Sequence, residues 1–214
     1  LYNETDGQAI YPTPVLGVVG LIDDATRVLT RVFPAVGLEI VLLGDAAGDL
    51  GGSEYLTLAH GLVGGRPAAV DLDRERALQI LLVEAARDGL IRSAHDCAEG
   101  GFAVTLAECC VESGGVGARV ELSGPGGPDD RRRLVRALFG EAPSRVVVSA
   151  PPGKLDRLRA RARALSVPAT VIGQTGGERL AISVAGAVAA DIGLEEAEQA
   201  WANGLTRYFE AAVA

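Results

Sequence analysis

Two stretches of strand length are apolar almost without a break. Residues 14–22 carry Val15, Leu16, Val18, Val19, Leu21 and Ile22, and residues 38–44 carry Leu38, Ile40, Val41, Leu42 and Leu43. A strand with one wet face alternates apolar and polar side chains, whereas an unbroken run signals cover on both faces. A chain holding such strands has to place other elements above and below a sheet, which makes it a layered α/β or α+β protein. Residues 1–33 supply too little to cover the first run, so that strand is expected to be buried against something outside its own segment.

The rest of the chain alternates between helical and strand patterns. After residues 38–44 the spacing predicts a loop over 45–52 and a helix over 53–62, with Ser53 as its N-cap. A long amphipathic helix is expected over 71–89. Leu72, Leu78, Leu81, Leu82, Ala85 and Ala86 form its apolar stripe, Asp71, Asp73 and Glu75 suit the positive end of its dipole, and Gly89 stops it. Strand 91–94, helix 102–112, strand 116–122, helix 129–139, strand 145–150, helix 154–165, strands 169–173 and 179–184, and a final helix over 194–212 complete the series. Residues 34–214 read as one layered domain, and 214 residues are enough to bury a full core.

Charge and cysteine usage narrow the function. A net charge of -8 argues against binding a phosphate backbone as the main task, because such binding relies on clustered Lys and Arg. The densest basic runs, Arg131 to Arg133 and residues 154–163, fall at helical spacing and read as solvated helix faces. No apolar stretch approaches the roughly 20 residues that span a bilayer, and no secretory signal opens the chain. Three cysteines, Cys97, Cys109 and Cys110, are an odd number with two adjacent, as expected of reduced thiols in a cytoplasmic protein. The chain has no methionine and opens on Leu1, so it is expected to be a piece of a longer protein.

The densest chemistry lies in residues 93–102, where a strand end passes through a glycine-bearing loop into a helix. Asp96 and Glu99 could ligate Mg²⁺ through hard carboxylate oxygens, and the amides of Gly100 and Gly101 could face a phosphate at the helix N-terminus. The bland alternative is a capped helix whose acids complement its dipole. His95 and Cys97 are residue types that serve as base and nucleophile, but the sequence shows no orienting partner for them. The cysteines lack the spacing of a structural zinc site. The loop 44–54 lacks the Gly-Lys-Ser/Thr ending of a P-loop and reads better as a tight strand-to-helix turn, and residues 124–128, with two prolines, read as a surface turn.

Three ordered motifs then carry a resemblance. Leu1-Tyr2-Asn3-Glu4-Thr5 with residues 9–20, then Leu50-Gly51-Gly52-Ser53-Glu54-Tyr55, then Ala94-His95-Asp96-Cys97-Ala98-Glu99-Gly100-Gly101 resemble the phosphoribosylformylglycinamidine synthase family. That family is part of the wider aminoimidazole ribonucleotide (AIR) synthetase group. The resemblance implies a three-layer α/β/α domain related to the ferredoxin-like fold over residues 34–214, preceded at 1–33 by the end of a second nucleotide-site domain. It also implies a parent enzyme, with ATP and Mg²⁺, that phosphorylates the amide oxygen of formylglycinamide ribonucleotide and lets glutamine-derived ammonia displace it.

The implied partners are the rest of the synthetase chain, a glutaminase subunit and a small bridging subunit, with neither nucleic acid nor membrane. In the resembling family the metal- and substrate-binding residues precede the position of Leu1, so no catalytic residue is expected within this chain and the piece is expected to be inactive alone. Asp96 remains as the implied metal ligand of a second, degenerate site, beside Gly100 and Gly101, with Glu141-Ala142-Pro143 standing where the family's substrate-binding Glu-Ser-Gln would be. The alternatives are a non-catalytic scaffold or docking domain, or the C-terminal domain of another synthetase or kinase of the same group.

Overall fold

The computed structural model describes residues 3–10, 13–22, 24–123 and 131–206. The polar opening segment pairs β1 (Glu4–Thr5) with β2 (Gln8–Ala9) across a turn in which Asp6 and Gly7 both take positive φ. The apolar run that follows is not the buried strand its composition predicts. Its described residues belong to no ladder, and Val18 and Leu21 are 95% and 98% exposed. A strand needs hydrogen-bonding neighbours, and a continuous apolar one needs cover on two faces; the described chain brings neither to this run.

From Glu39 to Val184 the expected alternation is realised; beyond it a strand over Ala187–Gly193 is added, and the last helix ends at Ala202, short of the expected 212, with residues 207–214 outside the described ones. The elements are β3 (Glu39–Leu43), α1 (Glu54–His60), α2 (Leu72–Arg87), β4 (Ser93–Asp96), α3 (Gly101–Cys110), β5 (Ala118–Leu122) and α4 (Arg131–Phe139). They continue with β6 (Val146–Ala150), α5 (Leu155–Ala164), β7 (Ala169–Thr175), β8 (Arg179–Val184), β9 (Ala187–Gly193) and α6 (Leu194–Ala202). β4 begins two residues later than expected, because Leu90 and Ile91 are spent as buried anchors after α2. The expected turn at 124–128 lies outside the described residues.

Seven strands form one sheet in the order β4-β6-β3-β7-β5-β8-β9, antiparallel throughout except where β5 runs parallel to β8. β3 is an interior strand, paired on both sides, and its continuous apolar run divides by parity. Ile40 and Leu42 enter a core with α3 and α4, while Val41 and Leu43 enter a second core with α2 and α5. The architecture is therefore the α/β/α sandwich expected. β5 alternates cleanly, with Arg119 and Glu121 exposed, because the α2 and α5 layer does not extend over it.

The segment just before residue 34 is attached to this body. Phe33 is fully buried and donates its amide to the Cys109 carbonyl (2.8 Å), the Thr30 carbonyl accepts from Ala94 (3.1 Å), and Leu29 packs on the second core. The basic runs are solvated as expected: Arg131 to Arg133 are exposed, and α5 turns only Leu158 and Ala162 fully inward. Among the described residues no helix is long and apolar enough to cross a membrane.

Candidate functional site

β4 and β6 are antiparallel neighbours with Asp96 opposite Val146, so the loop leaving β4 and the loop entering β6 meet at one rim of the sheet. A cleft of about 590 Å³ opens there. Asp96, Cys97 and Glu99 line it from the β4 side, Glu141, Ser144 and Arg145 from the β6 side, and Gly51, Pro67 and Val70 from the loops flanking α1. The structure thus brings Asp96 and Glu99 into one concavity with residues more than 40 positions away.

Glu141 organises this rim. Its Oε1 accepts the amide of Glu54, at the start of α1, and the amide of Gly100, the cap of α3, each at 2.9 Å. A carboxylate between two helix starts complements the positive ends of both dipoles. The neighbouring Gly101 amide donates to the Ala98 carbonyl at 3.1 Å. Both amides that the sequence offers to a phosphate thus have acceptors from this chain. Gly100 and Gly101 are glycines for steric reasons as well: both have positive φ, and a Cβ on Gly101 would lie 2.7 Å from the Phe139 backbone.

Arg145 holds the neighbouring loops. It is only 2% exposed, and it donates from Nε to the Asp45 carbonyl (2.9 Å) and from Nη1 to the Gly140 carbonyl (2.9 Å). Burial pushes its pKa down. Gly48 and Gly140 cross so tightly that a Cβ on Gly48 would lie 2.4 Å from the Gly140 carbonyl and one on Gly140 would lie 2.7 Å from the Gly48 carbonyl, and Asp49 and Glu141 exchange backbone hydrogen bonds beside them. Asp45 and Asp49 are paired with Arg74 (2.7 Å) and Arg136 (2.6 Å). The loop 44–54 is therefore a braced strand-to-helix turn, capped by Ser53 as expected.

The candidate base and nucleophile fare differently from their sequence reading. His95 does have an orienting partner: its Nε2 lies 2.8 Å from the Glu108 carboxylate of α3, and its Nδ1 lies 3.4 Å from Asp96. The sequence hides this pair because the two residues come from different elements. Cys97 is 2% exposed and burial pushes its thiol up, so little of the reactive thiolate is available. Cys109 and Cys110 are buried free thiols, and burial raises Cys110 to about 12. Asp96 is largely solvated within the cleft. Among the described residues no three His, Cys, Asp or Glu side chains are grouped to hold a metal ion. Sequence reasoning did not single out Arg145, whose signal is a lone arginine opening an otherwise apolar strand.

Residues 35–185 match the family described as AIR synthase related protein, C-terminal domain. The chain is similar to the phosphoribosylformylglycinamidine synthase subunit PurL of Moorella thermoacetica, with 43% identity over 204 residues, covering 95% of this chain and 27% of that protein. It thus spans about a quarter of the length of the curated relatives it matches. Its fold is similar to T. maritima PurL complexed with FGAR, with a TM-score of 0.67 and 21% identity over 81% of this chain and 30% of that one. It is also similar to T. maritima PurL complexed with ATP, with a TM-score of 0.63 and 20% identity over 81% of this chain and 28% of that one.

Proposed function

Because the chain belongs to the family of C-terminal domains of AIR synthase related proteins, we propose that it works as the C-terminal part of a phosphoribosylformylglycinamidine synthase subunit. The single observation that carries this reading is the sequence similarity to that subunit along nearly the whole chain. The parent would be an ATP-dependent C–N ligase of purine biosynthesis, acting in the cytoplasm. One phosphoryl group passes from ATP to the glycinamide carbonyl oxygen of formylglycinamide ribonucleotide, leaving ADP, ammonia adds to the activated carbon, and phosphate leaves to give the amidine with the formyl group retained. A glutaminase subunit and a small bridging subunit would supply the ammonia. In this reading residues 1–33 end the preceding nucleotide-site domain, with Leu29, Thr30 and Phe33 anchoring that end onto the C-terminal domain of residues 34–214.

Within the parent this chain would act as a supporting domain. Its candidate base is tied to Glu108 and its candidate nucleophile is buried, so the reacting groups are assigned to the remaining part of the parent. Asp96 is the residue to hold Mg²⁺, because that ion commonly takes one or two carboxylates and fills its octahedron with water and phosphate oxygens. A bound Mg²⁺ would offset phosphate charge. The Gly100 and Gly101 amides fit a phosphate poorly, since Glu141 and Ala98 already engage them; in our reading the Glu141 carboxylate stands in the place of an anion.

The test compares ADP formation from ATP, Mg²⁺, formylglycinamide ribonucleotide and ammonium by this chain and by a full-length synthase subunit ending in it. Turnover by the long protein and none by the chain alone is expected. Turnover by the chain alone would refute the assignment of the reacting groups, and its absence from both would refute the activity.

A further inference from the structure

Residues 52–64 form a loop whose ends meet. The Gly52 amide donates to the Gly64 carbonyl (2.8 Å), and Gly65 crosses Gly51 so closely that a Cβ at residue 65 would lie 2.7 Å from the Gly51 Cα. A loop closed on itself in this way is a compact Ω-type unit that can move as one piece. It carries α1, none of whose residues is buried; Leu58 is 82% exposed. The edges of the unit, Gly51, Gly52, Pro67, Ala68 and Val70, are one wall of the cleft that holds Asp96 and Cys97. Among the described residues α1 is tied to the body by the Glu54 amide on the Glu141 carboxylate (2.9 Å) and by the Tyr55 ring stacked on Phe139 at 5.4 Å and 15°.

We propose that residues 51–70 are a lid over the cleft, latched by the Glu141 carboxylate and the Tyr55–Phe139 stack. The inference rests on this geometry and is independent of the reaction assigned above. The lid covers the cleft without being part of either core: α1 contributes no residue to the clusters that hold the sheet and its two helix layers. Its opening is therefore a local event that costs far less than unfolding the domain. The same Glu141 oxygen also holds the Gly100 amide, so the latch links the lid to the loop that carries Glu99.

The chain contains its own reporters. All three cysteines belong to the same core, but Cys97 sits at its edge and lines the cleft, while Cys109 and Cys110, the last residues of α3, do not reach the cleft and become accessible only when that core opens. Labelling with a thiol reagent under native conditions, with each cysteine followed by peptide mass spectrometry, separates local from global opening. Glu141→Ala and Tyr55→Ala are each expected to speed labelling of Cys97 by about tenfold while Cys109 and Cys110 keep their wild-type rates. A local rise in either variant supports the lid even where the other fails to fold. Cys97 rates within about twofold of wild type in both, or rising only in step with Cys109 and Cys110, overturn it.

Discussion

Arg145 heads the fully buried side chains by size, and its hydrogen bonds run to main-chain carbonyls. A guanidinium removed from water keeps its charge only where several acceptors replace the lost hydration. Arg145→Met would leave the carbonyls of Asp45 and Gly140 without this donor, and a loss of about 3 kcal/mol in urea unfolding is expected. Arg145→Lys should recover less than half of that, because a single ammonium cannot match the planar fork. An unchanged midpoint in Arg145→Met would show that the loops hold without the charge.

At the same scale the sequence exposed one half of the cleft and hid the other. Asp96, Glu99 and the glycines are adjacent in the chain, so their grouping is visible as a motif. Glu141 reaches the Gly100 amide from 41 positions away, and His95 meets Glu108 only because α3 folds back beside β4. Pairings of that kind depend on topology and leave no local pattern.

At the scale of elements, α2 shows what local chemistry can determine. Asp71 accepts the amides of Asp73 (3.0 Å) and Arg74 (3.1 Å), and Leu78, Leu81 and Ala85 fall on the buried face. Asp71→Ala is expected to cost about 1 kcal/mol in thermal or urea unfolding, whereas Asp71→Asn should cost little. Helices with caps and stripes were legible almost to their ends: expected bounds of 71 and 89 enclose the observed Leu72–Arg87.

Strand β9 was not legible, and the reason is physical. Three of its seven residues are alanines, which favour strands poorly, and its register comes from pairing with β8. The turn that leads into it shows itself only in the structure. Ala185 and Gly186 both take positive φ between Val184 and Ala187, the geometry of a two-residue hairpin turn. The exposed run before residue 23 failed in the opposite sense: its composition announced a strand, but composition does not supply the neighbour that pairs with it.

For the whole molecule, the attachment of Leu29, Thr30 and Phe33 to the body decides where it can be shortened. Removing residues 1–28 discards the exposed apolar run, and the remaining protein is expected to keep its unfolding free energy while binding less of a hydrophobic dye. Removing residues 1–33 takes Phe33 out of the core and should cost about 3–5 kcal/mol, as a buried phenylalanine does. Equal stability of the two truncations would place the edge of the domain at residue 34.

The position of β3 has a consequence for synthesis. Both of its sheet neighbours, β6 and β7, come later in the chain, the nearer by about a hundred residues, which a ribosome adding about 5–20 residues per second needs about 5–20 s to make. During that interval a strand with four of its five residues destined for burial is outside any ladder. The nascent chain must therefore be sheltered for several seconds, by the ribosome's surface or by a chaperone, before its centre can close.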